Sequence, residues 1–263
     1  HCDVLVVGAG ISGILAAKNA AKNNFKTLLI DEKNELGGAT IYQNKEFNKI
    51  DNQSSSDWIK KEINELKNIS NLEIKTRTSV AAYHGYNYLL ARENLTDHLE
   101  KKDKNNKVRQ RLLKIRAKKV ILATGALERP LIFNNNDRPG IMLSTAVKKY
   151  ADFFGVKCGE KNVFFTNNDS AYESALCLYN KGIKVDAIID IRNNSNSKIV
   201  KAVEQVGIQI YWSHTVVDTN GYRRLNNISI MKLSNDGMTV TGDRINISCD
   251  CLGVAGGWTP AVH

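Results

Sequence analysis

No stretch of this 263-residue chain approaches the roughly 20 consecutive apolar residues that a membrane-spanning helix needs, which predicts a soluble protein that makes no use of a membrane. Its five cysteines, Cys2, Cys158, Cys177, Cys249 and Cys251, form neither a paired framework nor a zinc pattern. Reduced thiols in the cytoplasm are therefore expected. No C-x-x-C is present, which argues against a free-standing disulfide reductase; the alternation Ile247, Cys249, Cys251 instead fits inward-facing strand positions. No Ser/His/Asp or Cys/His grouping can be read either, and His84, His98 and His214 lack metal-ligand spacing. No catalytic residue and no metal site are expected. The chain opens on His1, with no charged leader and apolar signal core before Cys2, and reads as part of something longer.

Acidic residues are scarce in one place. Lys101–Lys119 holds ten Lys or Arg against one Asp, so this strip carries +9 of the formal +10. It contains no aromatics for base stacking, which argues against nucleic acid. A solvated hairpin is the simpler reading, with a polyanion or acidic-partner site as the alternative.

What is present begins at once. Asp3-Val-Leu-Val-Val-Gly-Ala-Gly-Ile-Ser-Gly13 runs a buried strand into Gly8-x-Gly10-x-x-Gly13, and an alanine-rich helix follows over about 11–23. Gly8 permits the tight turn, Gly10 lets a diphosphate approach the backbone, and Gly13 lets helix and strand pack closely. The helix aims its unpaired N–H groups, those of Ile11 and Ser12 first, at the phosphates. A second strand, Lys26–Ile30, ends on Asp31, 18 residues beyond Gly13, near the spacing for a carboxylate on the ribose hydroxyls; Glu32 is the fallback. An acid there repels a 2′-phosphate, so NAD or FAD is favoured over NADP, although Lys33 is placed to compensate.

A helix is expected over 56–67, then a strand over 72–75. Residues 80–91, 94–99 and 107–116 read as a three-stranded antiparallel meander, and Lys118–Leu122 as a short buried strand. A helix over 143–154 precedes a second β-α-β unit (strand 162–165, helix 170–180, strand 184–191). A helix over 196–206, a strand over 209–211 and three strands near 214–219, 227–233 and 246–251 complete the pattern. Two tandem Rossmann-like units with antiparallel strands argue for a doubled α/β architecture. The first domain is expected over 1–150, continued by 249–263, and the second over 151–248. In the second unit Thr166-Asn-Asn-Asp-Ser-Ala171 replaces the first two glycines of the turn. Asn tolerates φ > 0, so the turn can survive, but its side chain fills the space of a pyrophosphate.

Several of these motifs together carry a resemblance: Gly8–Gly13, Asp31-Glu32 with Leu36-Gly-Gly38, Ala123-Thr-Gly125-Ala-Leu-Glu-Arg-Pro130, Asn134-Asn-Asn-Asp-Arg-Pro-Gly-Ile-Met142, Thr166–Tyr172, and Gly256-Gly-Trp-Thr-Pro-Ala-Val-His263. Over its whole length the chain resembles the α subunits of heterotetrameric sarcosine oxidases. The resemblance implies the two-dinucleotide-binding-domain flavoprotein fold, truncated at its C-terminal end, with NAD in the first site. It implies a parent complex with β, γ and δ subunits that demethylates sarcosine to glycine, reduces oxygen to hydrogen peroxide and forms 5,10-methylenetetrahydrofolate. FAD, FMN and the tetrahydrofolate site would lie outside these residues.

Carried onto this sequence, the resemblance gives Gly8, Gly10, Ile11, Ser12 and Gly13 to the pyrophosphate, and Asp31, Glu32 and Lys33 to the adenine ribose region. Gly38, Ala39 and Thr40 line the phosphate and distal ribose, Val80 meets adenine through its backbone, and Thr124-Gly125 passes the ligand. For Val80 a plain core valine is an equal reading. Glu128-Arg129-Pro130 and Asp137-Arg138-Pro139 are either interface or redox-site loops, or loops held by Arg–carboxylate pairs. Two other functions stay open: the α subunit of a related FAD-dependent proline dehydrogenase or hydrogen cyanide synthase, and a non-enzymatic scaffold.

Overall fold

The computed structural model describes residues 1–42, 49–104 and 107–262; Asn105 and Asn106 of the basic strip, His263 of the last motif and part of the expected irregular stretch before residue 55 lie outside them. Two compact units form, one from His1–Gly125 with the chain from Pro260 on, the other from Ala126–Thr259. The expected division after residue 150 is thus displaced. Residues 126–150 and 249–259 pack with the second unit, because strands from both segments enter its parallel sheet.

In the first unit β1 (Cys2–Val7) leads to α1 (Ile11–Lys22) and β2 (Thr27–Ile30). The short pair β3 (Lys49–Ile50) and β4 (Gln53–Ser54) precedes α2 (Ser55–Leu66), β5 (Leu72–Lys75), β6 (Thr78–His84), β7 (Tyr88–Asn94) and β8 (Gln110–Leu122). Six strands join in the order β5-β2-β1-β8-β7-β6, the first four parallel and the last three an antiparallel meander. β1 alternates as a strand buried on both faces must. Val4 and Val6 pack with Ile14, Ala17, Trp58 and Ile59 from the helices, while Leu5 and Val7 pack with Leu89, Ala91 and Ile115 from the meander. α2 starts on Ser54, whose hydroxyl accepts the Asp57 N–H at 3.2 Å.

The meander differs from the expected one. Gly85-Tyr86-Asn87 divides the 80–91 stretch, with Tyr86 and Asn87 at φ 58° and 52°, so β6 and β7 come from what reads as one strand. Only Asn94 of 94–99 is in a strand. The expected strands 107–116 and 118–122 are one, β8: its first half pairs with β7 and its second with β1. Nor is 118–122 buried, since Ile121 and Leu122 are 37% and 41% exposed.

In the second unit β9 (Ala126–Glu128) is followed by β10 (Ile141–Leu143), α3 (Ser144–Asp152), β11 (Asn162–Thr166), α4 (Ser170–Asn180), β12 (Val185–Asp190), α5 (Lys198–Gln205) and β13 (Gln209–Trp212). β14 (His214–Asn220), β15 (Asn227–Leu233), β16 (Val240–Ser248), β17 (Cys251–Ala255) and β18 (Trp258–Pro260) complete it. The sheet β10-β17-β11-β12-β13 is parallel throughout, β14-β15-β16 is antiparallel, and β18 pairs β9. The strand expected at 246–251 is split. β16 ends at Ser248 in the antiparallel sheet, and β17, buried at every position, lies between β10 and β11. Cys249 and Cys251 are buried as expected, at 0% and 1% exposure, but in a connector and a strand rather than along one strand.

Candidate functional site

The glycine turn of the first unit is set by crowding. Gly8 sits at φ +97°, and a Cβ there would lie 2.3 Å from the Ala123 carbonyl oxygen; a Cβ on Gly13 would lie 1.8 Å from the Gly8 carbonyl oxygen. Gly10 is different: nothing lies within 4 Å of where its Cβ would be. Gly10 is also the N-cap of α1 and supplies no side-chain acceptor, so the N–H groups of Ile11 and Ser12 in the first turn lack an intrahelical partner.

Asp31, 9% exposed, braces this turn. One carboxylate oxygen accepts the Ala9 N–H at 2.6 Å and the other the Lys33 N–H at 2.8 Å. Each oxygen keeps a lone pair for a hydroxyl donor. Glu32 beside it is exposed and Lys33 half-buried. The next segment is laid across the turn, with Gly37 N–H on the Ala9 carbonyl at 2.8 Å. Gly38, at φ +59°, lies so close to Gly10 that a Cβ would come 2.9 Å from the Gly10 Cα. Ala39 is exposed, and Thr40 is buried with its N–H on the Gly37 carbonyl. The start of β6 is tied to the same place by Thr78 N–H to Asp31 O and Arg77 N–H to Lys33 O, both 2.8 Å. Val80 stands two residues on, half-buried against the apolar cluster of Val7 and Ile30 and beside a bulge in the β6–β7 ladder. Past β8, Thr124 donates its hydroxyl to the Ala261 carbonyl, and Gly125, at φ +74°, has open space where a Cβ would be.

The structure therefore brings Gly8–Gly13, Asp31–Lys33 and Gly38–Thr40 around one turn, with Arg77 and Thr78 leading from it toward Val80. Ala9 and Ala123 were not picked out by the sequence reading. Their signal is a small, buried residue between glycines and at the end of a strand: Ala9 is fully buried and uses both backbone groups to hold Asp31 and Gly37 in place.

The equivalent turn of the second unit is filled. Asn168 Oδ1 accepts the Ser170 N–H at 2.9 Å and the Ser170 hydroxyl at 2.6 Å, at the first residue of α4, where a phosphate would bind. Asn168 Nδ2 donates to Asn167 Oδ1 at 2.8 Å, and the Asn168 N–H goes to the Thr166 hydroxyl at 3.0 Å. The expected use of φ > 0 at an Asn is not found: neither Asn167 nor Asn168 has positive φ, because Thr166 and Asn168 side chains shape the turn instead. At the end of β12, Asp190 is fully buried and receives the Tyr172 hydroxyl at 2.7 Å and Arg192 Nη2 at 2.7 Å; Arg192 also reaches Asp169 at 2.8 Å. Burial works against the Arg192 charge, but Asp190 and Asp169 outweigh it and hold its pKa above the ordinary value. Burial, with Asp190 adding to it, likewise pushes the Tyr172 hydroxyl up.

The chain from Cys2 to the C-terminus matches the model of the pyridine nucleotide-disulphide oxidoreductase family (residues 2–263). It belongs to that family. Along its whole length it is 38% identical to the sarcosine oxidase subunit alpha of Corynebacterium sp. (strain P-1) and 33% identical to that of Rhizobium meliloti (strain 1021). It spans about a quarter of the length of these relatives, 27% and 25%. Among solved structures, T. acidophilum thioredoxin reductase superposes with a TM-score of 0.70 at 20% identity, covering 99% of this chain and 78% of that one. L-proline dehydrogenase from P. horikoshii superposes with a TM-score of 0.69 at 22% identity, covering 99% of this chain and 43% of that one. Both likenesses show the expected two-dinucleotide-binding fold.

The family is named for disulphide chemistry, and the thiols of this member are held toward the protonated form. All five cysteines are unpaired, and burial raises the pKa of each, that of Cys251 to about 12, away from the reactive thiolate. Among the described residues no group of three or more His, Cys, Asp or Glu can hold a metal ion. His84 lies against Tyr88 at 5.9 Å and His214 Nδ1 lies 2.6 Å from the Trp212 carbonyl oxygen. The Arg–carboxylate reading of the two Arg-Pro loops is corrected. Glu128 accepts the Thr145 N–H at 2.8 Å and its hydroxyl at 2.6 Å, and Arg138 donates to the Gly221 carbonyl. No described helix is long and apolar enough to cross a membrane, which says nothing of strands.

Proposed function

We propose that the first unit binds one dinucleotide, NAD, through Gly8, Gly10, Ile11, Ser12 and Gly13 at the pyrophosphate and Asp31, with Glu32 beside it, at the adenine ribose. Gly38, Ala39 and Thr40 would line the phosphates and distal ribose, and Val80 and Thr124-Gly125 the remaining wall. The observation that carries this is the free space in front of Gly10, between two glycines that no other residue can replace. The residues fit the group: unpaired helix N–H groups for a diphosphate and carboxylate lone pairs for ribose hydroxyls. Two adjacent acids favour an unphosphorylated ribose. FAD satisfies the same contacts, so the ligand must be identified directly.

The chain serves, on this reading, as the nucleotide-binding part of a sarcosine oxidase α subunit working with β, γ and δ subunits in the cytoplasm, where five unpaired thiols stay reduced. The assembly oxidises the N-methyl group of sarcosine, passes two electrons to oxygen to give hydrogen peroxide, and releases glycine with the one-carbon unit on tetrahydrofolate. FAD, FMN and the folate site belong to parts of the assembly beyond these residues. In the segment itself NAD supplies structure, and the chain's own residues orient it without a proton transfer. Mass spectrometry of ligand released by denaturing the purified protein tests the assignment. NAD in near-stoichiometric amount is expected; a flavin spectrum would replace NAD by FAD, and a protein left empty in excess of both would leave only the scaffold reading.

A further inference from the structure

The outward face of the meander in the first unit carries a pattern that nucleotide binding does not use. Along β7 and β8 the pairs Arg92–Leu112, Leu90–Lys114 and Tyr88–Arg116 stand opposite each other on that face. Each sets one cation beside one apolar side chain. Leu112 is 61% exposed, Lys114, Arg116 and Arg92 are exposed, and Leu90 and Tyr88 are half-buried. The opposite face holds the buried Leu89, Ala91, Ile115 and Ala117. A solvated face mixes both signs, and exposed strand pairs commonly join opposite charges. Here no acid joins the three pairs. Elsewhere in the strip Arg109 pairs Asp97 at 2.7 Å, Lys118 pairs Asp3 at 2.8 Å and Lys102 pairs Glu100 at 2.9 Å. Among the described residues, Lys114 and Arg116 have no carboxylate within ion-pair distance.

We propose that this face docks a partner protein whose surface presents carboxylates interleaved with apolar side chains. Charge complementarity selects an acidic partner, and the exposed Leu112 and half-buried Leu90 select a polypeptide over a purely ionic polymer. Tyr88 is the aromatic of the three pairs, and its ring is covered by the Arg116 guanidinium at 5.3 Å, with His84 at 5.9 Å, so the pairs themselves offer no stacking surface for a base; the exposed Tyr86 lies at the hairpin tip, outside them. The inference stands apart from the identity of the nucleotide, since β7 and β8 meet the partner on the face turned from the core.

The full-length protein, purified in the assembly it forms, is treated with a carbodiimide, which joins a lysine amine directly to a carboxylate. Lys114 is expected to be coupled to an Asp or Glu of another chain. It should be shielded from acetylation in the assembly and reactive in the isolated chain. A double variant, Lys114→Glu with Arg116→Glu, should bind the purified partner about a hundredfold more weakly. The same variant should keep its thermal midpoint and its dinucleotide. Lys114 uncoupled and equally reactive in both states would overturn the proposal. So would binding of a single-stranded RNA oligonucleotide or phosphatidylserine vesicles that the double variant abolishes, with no partner cross-link at this face.

Discussion

The two units make the same strand-to-helix turn with opposite contents. In the first, Gly8 and Gly13 are crowded by backbone and Gly10 faces open space, so the N-terminus of α1 is left to be satisfied from outside. In the second, Asn168 turns its own side chain onto the first amide of α4, doing within the chain what a phosphate oxygen would do. The acids that close the second strands follow the same division. Asp31 accepts two backbone N–H groups and keeps lone pairs to offer, whereas Asp190 is surrounded by Tyr172 and Arg192, and Arg192 is shared with Asp169. One unit keeps its polar groups available to a ligand. The other has turned them inward, converting a binding site into part of its own stability.

The strongest test of that contrast is Asp190→Asn. It leaves the Arg192 guanidinium short of its buried partner, and breaking such a pair costs about 3 kcal/mol. Denaturant unfolding should show that loss while the bound dinucleotide stays. Release of nucleotide by this variant would place the ligand in the second unit. Gly13→Ala comes next. A Cβ 1.8 Å from the Gly8 carbonyl oxygen forces α1 away from β1, at about 2 kcal/mol of overpacking, and nucleotide binding should be lost with it.

Gly10→Ala separates the two effects. Nothing lies within 4 Å of the new methyl and the backbone sits at φ −72°, so the thermal midpoint should hold. Nucleotide affinity, read by calorimetry, should still fall about tenfold, because the methyl meets the diphosphate and nothing else. Unchanged affinity would remove the pyrophosphate from this turn.

The local motifs were legible because each is written within a few residues. The turn Gly8–Gly13, the α1 pattern, Asp31 after a buried strand and the altered Thr166–Ser170 turn all depend on neighbours in sequence. What escaped depends on partners far away. Nothing in Lys107–Leu122 announces that β7 pairs with one half of β8 and β1 with the other. The split of 80–91 was hidden because Tyr86 and Asn87 take positive φ inside an apolar run. Cys251–Ala255 reads like any apolar run until β10 and β11 flank it. Glu128 was placed near Arg129 by sequence, but its carboxylate closes the first turn of α3 at Thr145, and burial raises its pKa there. The residues of the proposed site are local motifs, whereas the link of Ala9 to Asp31 and Gly37 joins residues far apart in the chain.

The smallest expected effect is the most diagnostic for the second unit. Asn168→Gly removes the side chain that satisfies the Ser170 N–H and hydroxyl, and replacing such a capping side chain by glycine costs about 0.3 kcal/mol. It also restores a glycine where the first unit has Gly10. If Asn168 alone closed the site, the variant would take up a second nucleotide per chain, measurable by calorimetry. No second equivalent is expected. Arg192 would still be held between Asp190 and Asp169, and Thr166 would still occupy the place of the first glycine, with its hydroxyl on the Asn168 backbone. A small loss of stability with no gain of ligand would mean that the second unit closed by several mutually supporting changes, which a single reversal does not undo.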